Sequence, residues 1–278
     1  MTQRERLTIG LDRAIDIEWL DAVAGRLAAG ASAKEARAFA WHLLDGVVAG
    51  KTAQSARGKT LTVLSRVWLT VPVVAETLRD SAMPLVGRAS ANERLAIHWA
   101  MMSAAYPFFV DIASHVGKFI GLNGEFSLSQ LTRRLIEVWG DRSTLRPAIQ
   151  RTVRSMVQWG VLRDAKRPGR YLPPAKRVVV SAEVAELLVE GLIIASGRGM
   201  PFNQLLTHPA TFPFDVRLDP SHLRRSPRLR LHRQGDQTDF VEREATRLTR
   251  STDFPTRGGI SRKKKRVAAK NAQLQLIR

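Results

Sequence analysis

Thr144-Leu145-Arg146-Pro147-Ala148-Ile149-Gln150-Arg151-Thr152-Val153-Arg154-Ser155-Met156-Val157-Gln158-Trp159 sorts its residue types by helical face. Leu145, Ile149, Val153, Met156 and Val157 recur at helical spacing and form one apolar stripe. Arg146, Gln150 and Arg154 lie four apart on the opposite side, with Arg151 beside them. Ser143 or Thr144 is the expected cap, Pro147 is tolerated in the first turn, and Gly160 ends the helix. An inner face that holds a fold and an outer face of long donors is the division a groove-binding helix requires. Arg can donate two bonds to guanine O6 and N7, and Gln can pair with adenine N6 and N7.

The flanking sequence supplies a context for this helix. Upstream, Pro107 opens a helix with Phe108, Phe109, Ile112, Val116, Phe119 and Ile120 at helical spacing. Asn123-Gly124 is a tight turn, and Glu125-Phe126-Ser127 reads as a short strand. A second helix, with Ser129 as its expected cap, carries the apolar set Leu131, Leu135, Ile136, Val138 and Trp139, and breaks at Gly140-Asp141. Downstream, Val161-Leu162-Arg163 is strand-like, Asp164–Arg170 is a basic turn around Pro168-Gly169, and Tyr171-Leu172 returns. Helix, strand, helix, break, helix and hairpin is the order of a winged helix-turn-helix between about Tyr106 and Leu172.

In that reading the recognition helix offers Arg146, Gln150, Arg151 and Arg154. Arg142, Ser143 and Thr144 sit at its start, where free backbone N–H groups suit a phosphate. Arg133 and Arg134 lie on the preceding helix, Lys166, Arg167 and Arg170 on the wing, and Lys176 and Arg177 just beyond it. Which of these touch bases and which touch backbone is left open, since most such contacts go to phosphate and sugar.

The first hundred residues predict a helical bundle. Ile17, Leu20, Val23, Ala24 and Leu27 are spaced as one helix. Ser32 with Glu35 forms a capping box for a second, whose Phe39, Leu43, Leu44 and Val47 point inward. A third runs from about Ser55 to Val71, and Asn92 caps another holding Leu95, Trp99 and Met102. Trp19, Trp41, Trp68 and Trp99 read as core. Beyond the wing, Ser181–Ala195 is an apolar helix, Pro201–Leu206 a short one, Arg228–Arg233 an alternating strand, and Val241–Arg250 a further helix. The expected class is mainly α, with a bundle (1–103), a winged helix-turn-helix (104–178), a small α+β region (179–250) and a basic tail (251–278).

Charge supports the same partner. The chain of 278 residues carries a net charge of +19. The excess is not uniform: residues 128–177 hold 12 basic and three acidic side chains, and residues 217–278 hold 17 and six. Two concentrated blocks suit a polyanion footprint better than general solubility. Arg224, Arg225, Arg228, Arg230 and Arg233 read equally as a phosphate track or a solvated strand face. Arg262-Lys263-Lys264-Lys265-Arg266 reads as a phosphate-gripping tail, although its composition also matches a nuclear localisation signal. Duplex DNA is favoured over RNA because side chains cannot read the deep, narrow major groove of an A-form helix.

Enzymatic readings find little support. There is no cysteine, which excludes disulfides, Cys-ligated zinc and a thiol nucleophile. The six histidines show no metal-binding spacing. Arg57-Gly58-Lys59-Thr60 has the last letters of a phosphate loop but neither its first glycine nor its strand. No catalysis, cofactor or metal is expected. The polar start and the absence of a long apolar run lead to an expected cytoplasmic protein without a membrane partner.

The helical N-terminal half, the winged helix, the stretch His208-Pro209-Ala210-Thr211-Phe212-Pro213-Phe214 and the strand Arg228–Gly235 together resemble BrxA-type proteins of bacterial BREX phage-defence systems. The resemblance covers roughly residues 10–245, is one of layout and local pattern, and does not extend to the basic tail. It implies a DNA-binding component without chemistry of its own, acting beside a methyltransferase and other defence proteins, with Arg146, Arg151 and Arg154 as groove contacts. Two other readings stand beside it. A transcription regulator would need a homodimer to set two recognition helices about one helical turn apart; the sequence shows no long zipper-like helix for that, and whether the N-terminal bundle dimerises is left open. An adaptor would use its winged helix to dock protein.

Overall fold

The computed structural model describes residues 9–235 and 238–244. The protein is mainly α, with short strands gathered in three small sheets. The N-terminal helices are α1 (Ile17–Ala28), α2 (Ala33–Leu43), α3 (Ala56–Leu64), α4 (Glu76–Val86) and α5 (Ala91–Ala105). Ser32 and Glu35 form the expected capping box. Ser90, not Asn92, caps α5 by accepting from Glu93 N. The expected third helix is shorter: α3 passes into a π-helical turn, Ser65–Leu69, and Pro72 then forces a restart as a 3-10 turn and α4. Phe39, expected inward, is 37% exposed, because α2 meets α1 through Ala36 and Ala40 instead, and Val47, also expected inward, is 67% exposed because α2 ends at Leu43 and Val47 falls in the turn that follows.

Helix α5 is buried almost throughout and packs along α9 (Ala182–Ser196), which is equally sunk in the core. The two backbones come close at Gly191, where an added Cβ would lie 2.7 Å from Ala100 O. Trp99, fully buried on α5, sets its ring edge-on to Phe109, Trp159, Phe212 and Phe214 and donates from Nε1 to Ala210 O at 3.0 Å. The His208–Phe214 stretch is therefore a plug, buried at Ala210, Thr211, Pro213 and Phe214 and half-buried at His208, Pro209 and Phe212. Its 3-10 turn, Pro209–Thr211, presses its Pro209 carbonyl against Gly117.

Between these parts lie α6 (Pro107–Asn123), β1 (Phe126–Ser127), α7 (Leu128–Trp139), α8 (Leu145–Gln158), β2 (Arg163–Asp164) and β3 (Arg170–Leu172). The strands form one antiparallel sheet in the order β1-β3-β2, with Phe126 opposite Tyr171 and Arg163 opposite Leu172. Ser127 ends β1 and caps α7 in a capping box with Gln130, so the expected cap at Ser129 is displaced by two residues. Val138, expected in the apolar set of α7, is 61% exposed. Residues 12–17 clamp the inner side of α8: Ile15 N donates to Ser155 Oγ at 2.7 Å, Ile17 N to Gln158 Oε1 at 3.0 Å, and Trp159 Nε1 to Ile15 O at 2.9 Å. Residues up to Glu244 form one compact unit with a continuous core.

The remaining elements are β4 (Val178–Val179), β5 (Met200–Pro201), α10 (Phe202–Leu206), β6 (Phe214–Asp215), α11 (Pro220–Arg224), β7 (Leu229–Gln234) and β8 (Thr238–Arg243). β4 pairs with β6 in parallel, and β5-β8-β7 is antiparallel. The alternating strand at Arg228–Arg233 is thus present as β7. The helix expected at Val241–Arg250 is not: Val241–Arg243 belong to β8, where Val241 is buried between strands. Residues 245–250 of that expected helix, and the basic run Arg262–Arg266, lie outside the described residues.

Candidate nucleic-acid interface

Helix α8 carries its apolar stripe where the sequence put it. Leu145, Ala148, Ile149, Val153 and Met156 are fully buried against the core. Arg146, Gln150 and Arg154 are exposed on the other side. Thr144 occupies the cap position but its side chain accepts no backbone bond, contrary to the cap expected from Ser143 or Thr144. Both of those residues are exposed.

Between α7, α8 and the β2–β3 hairpin lies an open cleft of about 830 Å³. Ser127, Ser129, Thr132, Arg133, Arg146, Gln150 and Arg170 supply its polar lining together with one acid, Glu137, and Leu128 and Ile136 line it with apolar surface. The hairpin tip is fixed against α7, because Leu128 N donates to Gly169 O at 2.8 Å. Gly169 has φ +73, a conformation the turn can hold without strain only because the residue lacks a Cβ. The stacked rings of Phe126 and Tyr171, 5.3 Å apart, support the sheet from below.

The basic side chains differ in what already holds them. The side chains of Arg133, Lys166, Arg167 and Lys176 are exposed and make no hydrogen bond or ion pair among the described residues. Arg134 pairs with Glu137 at 3.0 Å along α7. Arg146 pairs with Asp141 at 3.1 Å. Arg154 Nη1 meets both carboxylate oxygens of Asp164, at 2.8 and 2.9 Å, and that hydrogen bond raises its pKa further above the normal arginine value. Arg170 reaches Glu125, and Arg177 donates to Phe214 O. Arg142 is half-buried near the start of α8.

Arg151 departs from the expected set. Its Nη1 donates to the backbone oxygen of Asp12 at 2.6 Å, so the side chain belongs to the clamp on residues 12–17 and not to the outer face of α8. One residue along from Gln150 is one hundred degrees around the helix, far enough to turn it to the bundle side.

The late arginines divide in the same way. Arg228 is drawn inward, with Nε 2.7 Å from Glu190 and Nη2 2.8 Å from Glu186. Both carboxylates are buried on α9 and are also met by His222, Ser226 and Arg243. Arg230 faces Glu244 at 3.2 Å and Arg233 faces Asp239 at 3.8 Å, while Arg224 and Arg225 are exposed.

Sequence reasoning missed Ser127, Ser129 and Gly169 as lining residues. The first was visible as a Ser-x-x-Gln capping box at residues 127–130. The acids that hold Arg146 and Arg154 had no such signal, since Asp164 meets Arg154 only once the hairpin has folded back. Among the described residues, no group of three His, Asp or Glu side chains is placed to hold a metal ion, and no single helix is long and apolar enough to cross a membrane. No family model, curated protein or solved structure matches the chain.

Proposed function

We propose that this protein binds duplex DNA through a winged helix-turn-helix formed by α6, β1, α7, α8 and the β2–β3 hairpin, and that it performs no chemistry of its own. The observation that carries the reading is the cleft beside α8, where exposed Arg133, Arg146 and Gln150 converge with the hairpin tip. A helix with a buried apolar side and an outer Gln and Arg suits a major groove. The exposed hairpin cations Lys166 and Arg167 suit the adjoining phosphates.

The ion pairs on Arg146 and Arg154 do not oppose this strongly. All four partners are half or more exposed, and exposed pairs contribute only about 0–1 kcal/mol. A phosphate can therefore replace either carboxylate at small cost. The same pairs are the feature that favours protein docking as a second reading, since they leave the outer face of α8 closer to neutral. The resemblance to BrxA-type proteins leads us to assign the chain to a bacterial phage-defence system, beside other defence proteins in the cytoplasm.

Anisotropy of a labelled duplex titrated with the full chain at two salt concentrations tests the reading. Affinity should fall steeply with salt, since each phosphate contact contributes about 0.9 to the logarithmic slope. Binding that is absent, or insensitive to salt, would leave protein docking as the better reading.

A further inference from the structure

The tetrapeptide Arg57-Gly58-Lys59-Thr60 is not a phosphate loop, but it builds a rigid platform. Arg57 is buried: its Nη1 meets Asp45 Oδ1 at 2.6 Å, its Nε donates to Trp41 O at 2.9 Å, and its guanidinium lies 4.1 Å over the Trp41 ring. Gly58 lets the backbone press onto the preceding loop, where an added Cβ would lie 2.2 Å from Ala53 O. Ser55 caps the helix by accepting from Gly58 N. Thr60 is buried on the next face. The residue left outside is Lys59, exposed and without a side-chain hydrogen bond or ion pair among the described residues.

This platform stands beside the proposed recognition helix. Lys59, Thr62 and Val63 of α3 share a cleft of about 490 Å³ with Arg142 and Thr144 at the start of α8, and with Ile9, Gly10 and Asp12. Asp12 is the acid of the cleft, and its carboxylate lies 3.8 Å from Arg13. The cleft thus joins α3 to the start of α8, the end at which the DNA-binding reading sets a phosphate.

We propose that the N-terminal bundle is part of the DNA interface, and that Lys59 contacts a backbone phosphate flanking the groove that α8 enters. The inference rests on the DNA-binding reading above and extends the footprint from the winged helix onto α3. A phosphate fits because the contact offered is a flexible point charge, which carries no base information.

The test is the salt dependence of binding of a labelled 24-base-pair duplex to the full chain, to Lys59→Ala and to Lys51→Ala. Lys51 is an exposed cation of the preceding loop that does not line the cleft. Lys59→Ala should make the logarithmic slope about 0.9 shallower and weaken binding alike for all sequences, while Lys51→Ala should match the parent. Parent-like behaviour of Lys59→Ala, or an equal loss in Lys51→Ala, overturns the proposal while the winged-helix reading stands. A parent chain that binds no duplex overturns both.

Discussion

Arg154 and Asp164 face each other where the end of α8 meets β2, with one guanidinium nitrogen 2.8 and 2.9 Å from the two carboxylate oxygens. The pair is exposed, so it contributes little to the fold. It does cancel a cation on the face we assign to DNA. Asp164→Asn should leave the thermal melt within about 0.5 kcal/mol of the parent and should tighten duplex binding severalfold. Weaker binding by the variant would mean that the carboxylate positions Arg154 and does not compete with DNA for it.

Arg151 separates a structural arginine from its neighbours. Its bond to Asp12 O ties the N-terminal segment to α8. Arg151→Ala should cost about 1–2 kcal/mol in urea unfolding and leave the salt slope of DNA binding unchanged. A shallower slope without loss of stability would return it to the outer face.

The hairpin makes its own contribution. The side chains of Lys166 and Arg167 are exposed at its tip, without a hydrogen bond or ion pair among the described residues. Replacing both with Ala should reduce the logarithmic salt slope by about 1.8, with no change in the melt. An unaltered slope would remove the hairpin from the interface.

Stability should fall in acid for a reason that can be located. Trp68 Nε1 donates to His98 Nδ1 at 3.1 Å, so the His98 proton sits on Nε2 and is donated to Asp21 at 2.8 Å. Burial holds the His98 pKa below its ordinary 6.5. Burial pushes the Asp21 carboxyl upward, but hydrogen bonds from His98 and Arg94 outweigh it and the pKa falls below 3.8. The fold thus excludes a proton from His98 that the unfolded chain accepts, and stability is complete above pH 6.5 and declines below it. Asp21 contributes stability above pH 3.8 that is lost as pH falls through its lower folded value. His208, whose pKa burial also lowers, adds in the same direction as His98. Melting temperature should drop between pH 7 and 5, and His98→Gln should melt lower at pH 7 but lose part of that drop. An unchanged pH dependence in His98→Gln would place the acid sensitivity elsewhere.

Gly191→Ala tests the central helix pair. The new methyl would meet Ala100 O at 2.7 Å, a backbone atom that cannot step aside alone. Overpacking of this kind costs about 1–3 kcal/mol, and urea unfolding should show it. An unperturbed variant would mean that α5 and α9 separate easily.

Helical periodicity made most of the helices legible, because a one-sided apolar stripe such as Leu145, Ile149, Val153 and Met156 has one good place to go. The inward choice failed at Phe39, where α2 buries the smaller Ala36 and Ala40; at Val47, because the helix ends at Leu43; and at Val138, where α7 buries Leu135 and Trp139 instead and the spacing could not say which side its partners would cover. The His208–Phe214 plug was unreadable as core, since its burial depends on Trp99, more than a hundred residues earlier. The cleft is partly legible: Arg146 and Gln150 follow from spacing, Arg133 from its place on the preceding helix and Arg170 from the hairpin, and all four line it. The ties of Arg151 to Asp12, Arg154 to Asp164 and Arg228 to Glu186 and Glu190 were not, because each joins elements that only tertiary packing brings together.

The most direct test of the account combines Arg133→Ala, Arg146→Ala and Gln150→Ala in the full chain and measures duplex affinity at one moderate salt concentration alongside the thermal melt. The account predicts a melt close to the parent and a loss of affinity of at least about a hundredfold, from two phosphate or guanine contacts and one adenine contact. Parent-like affinity in a folded variant would contradict it, and would move any DNA binding away from the cleft beside α8.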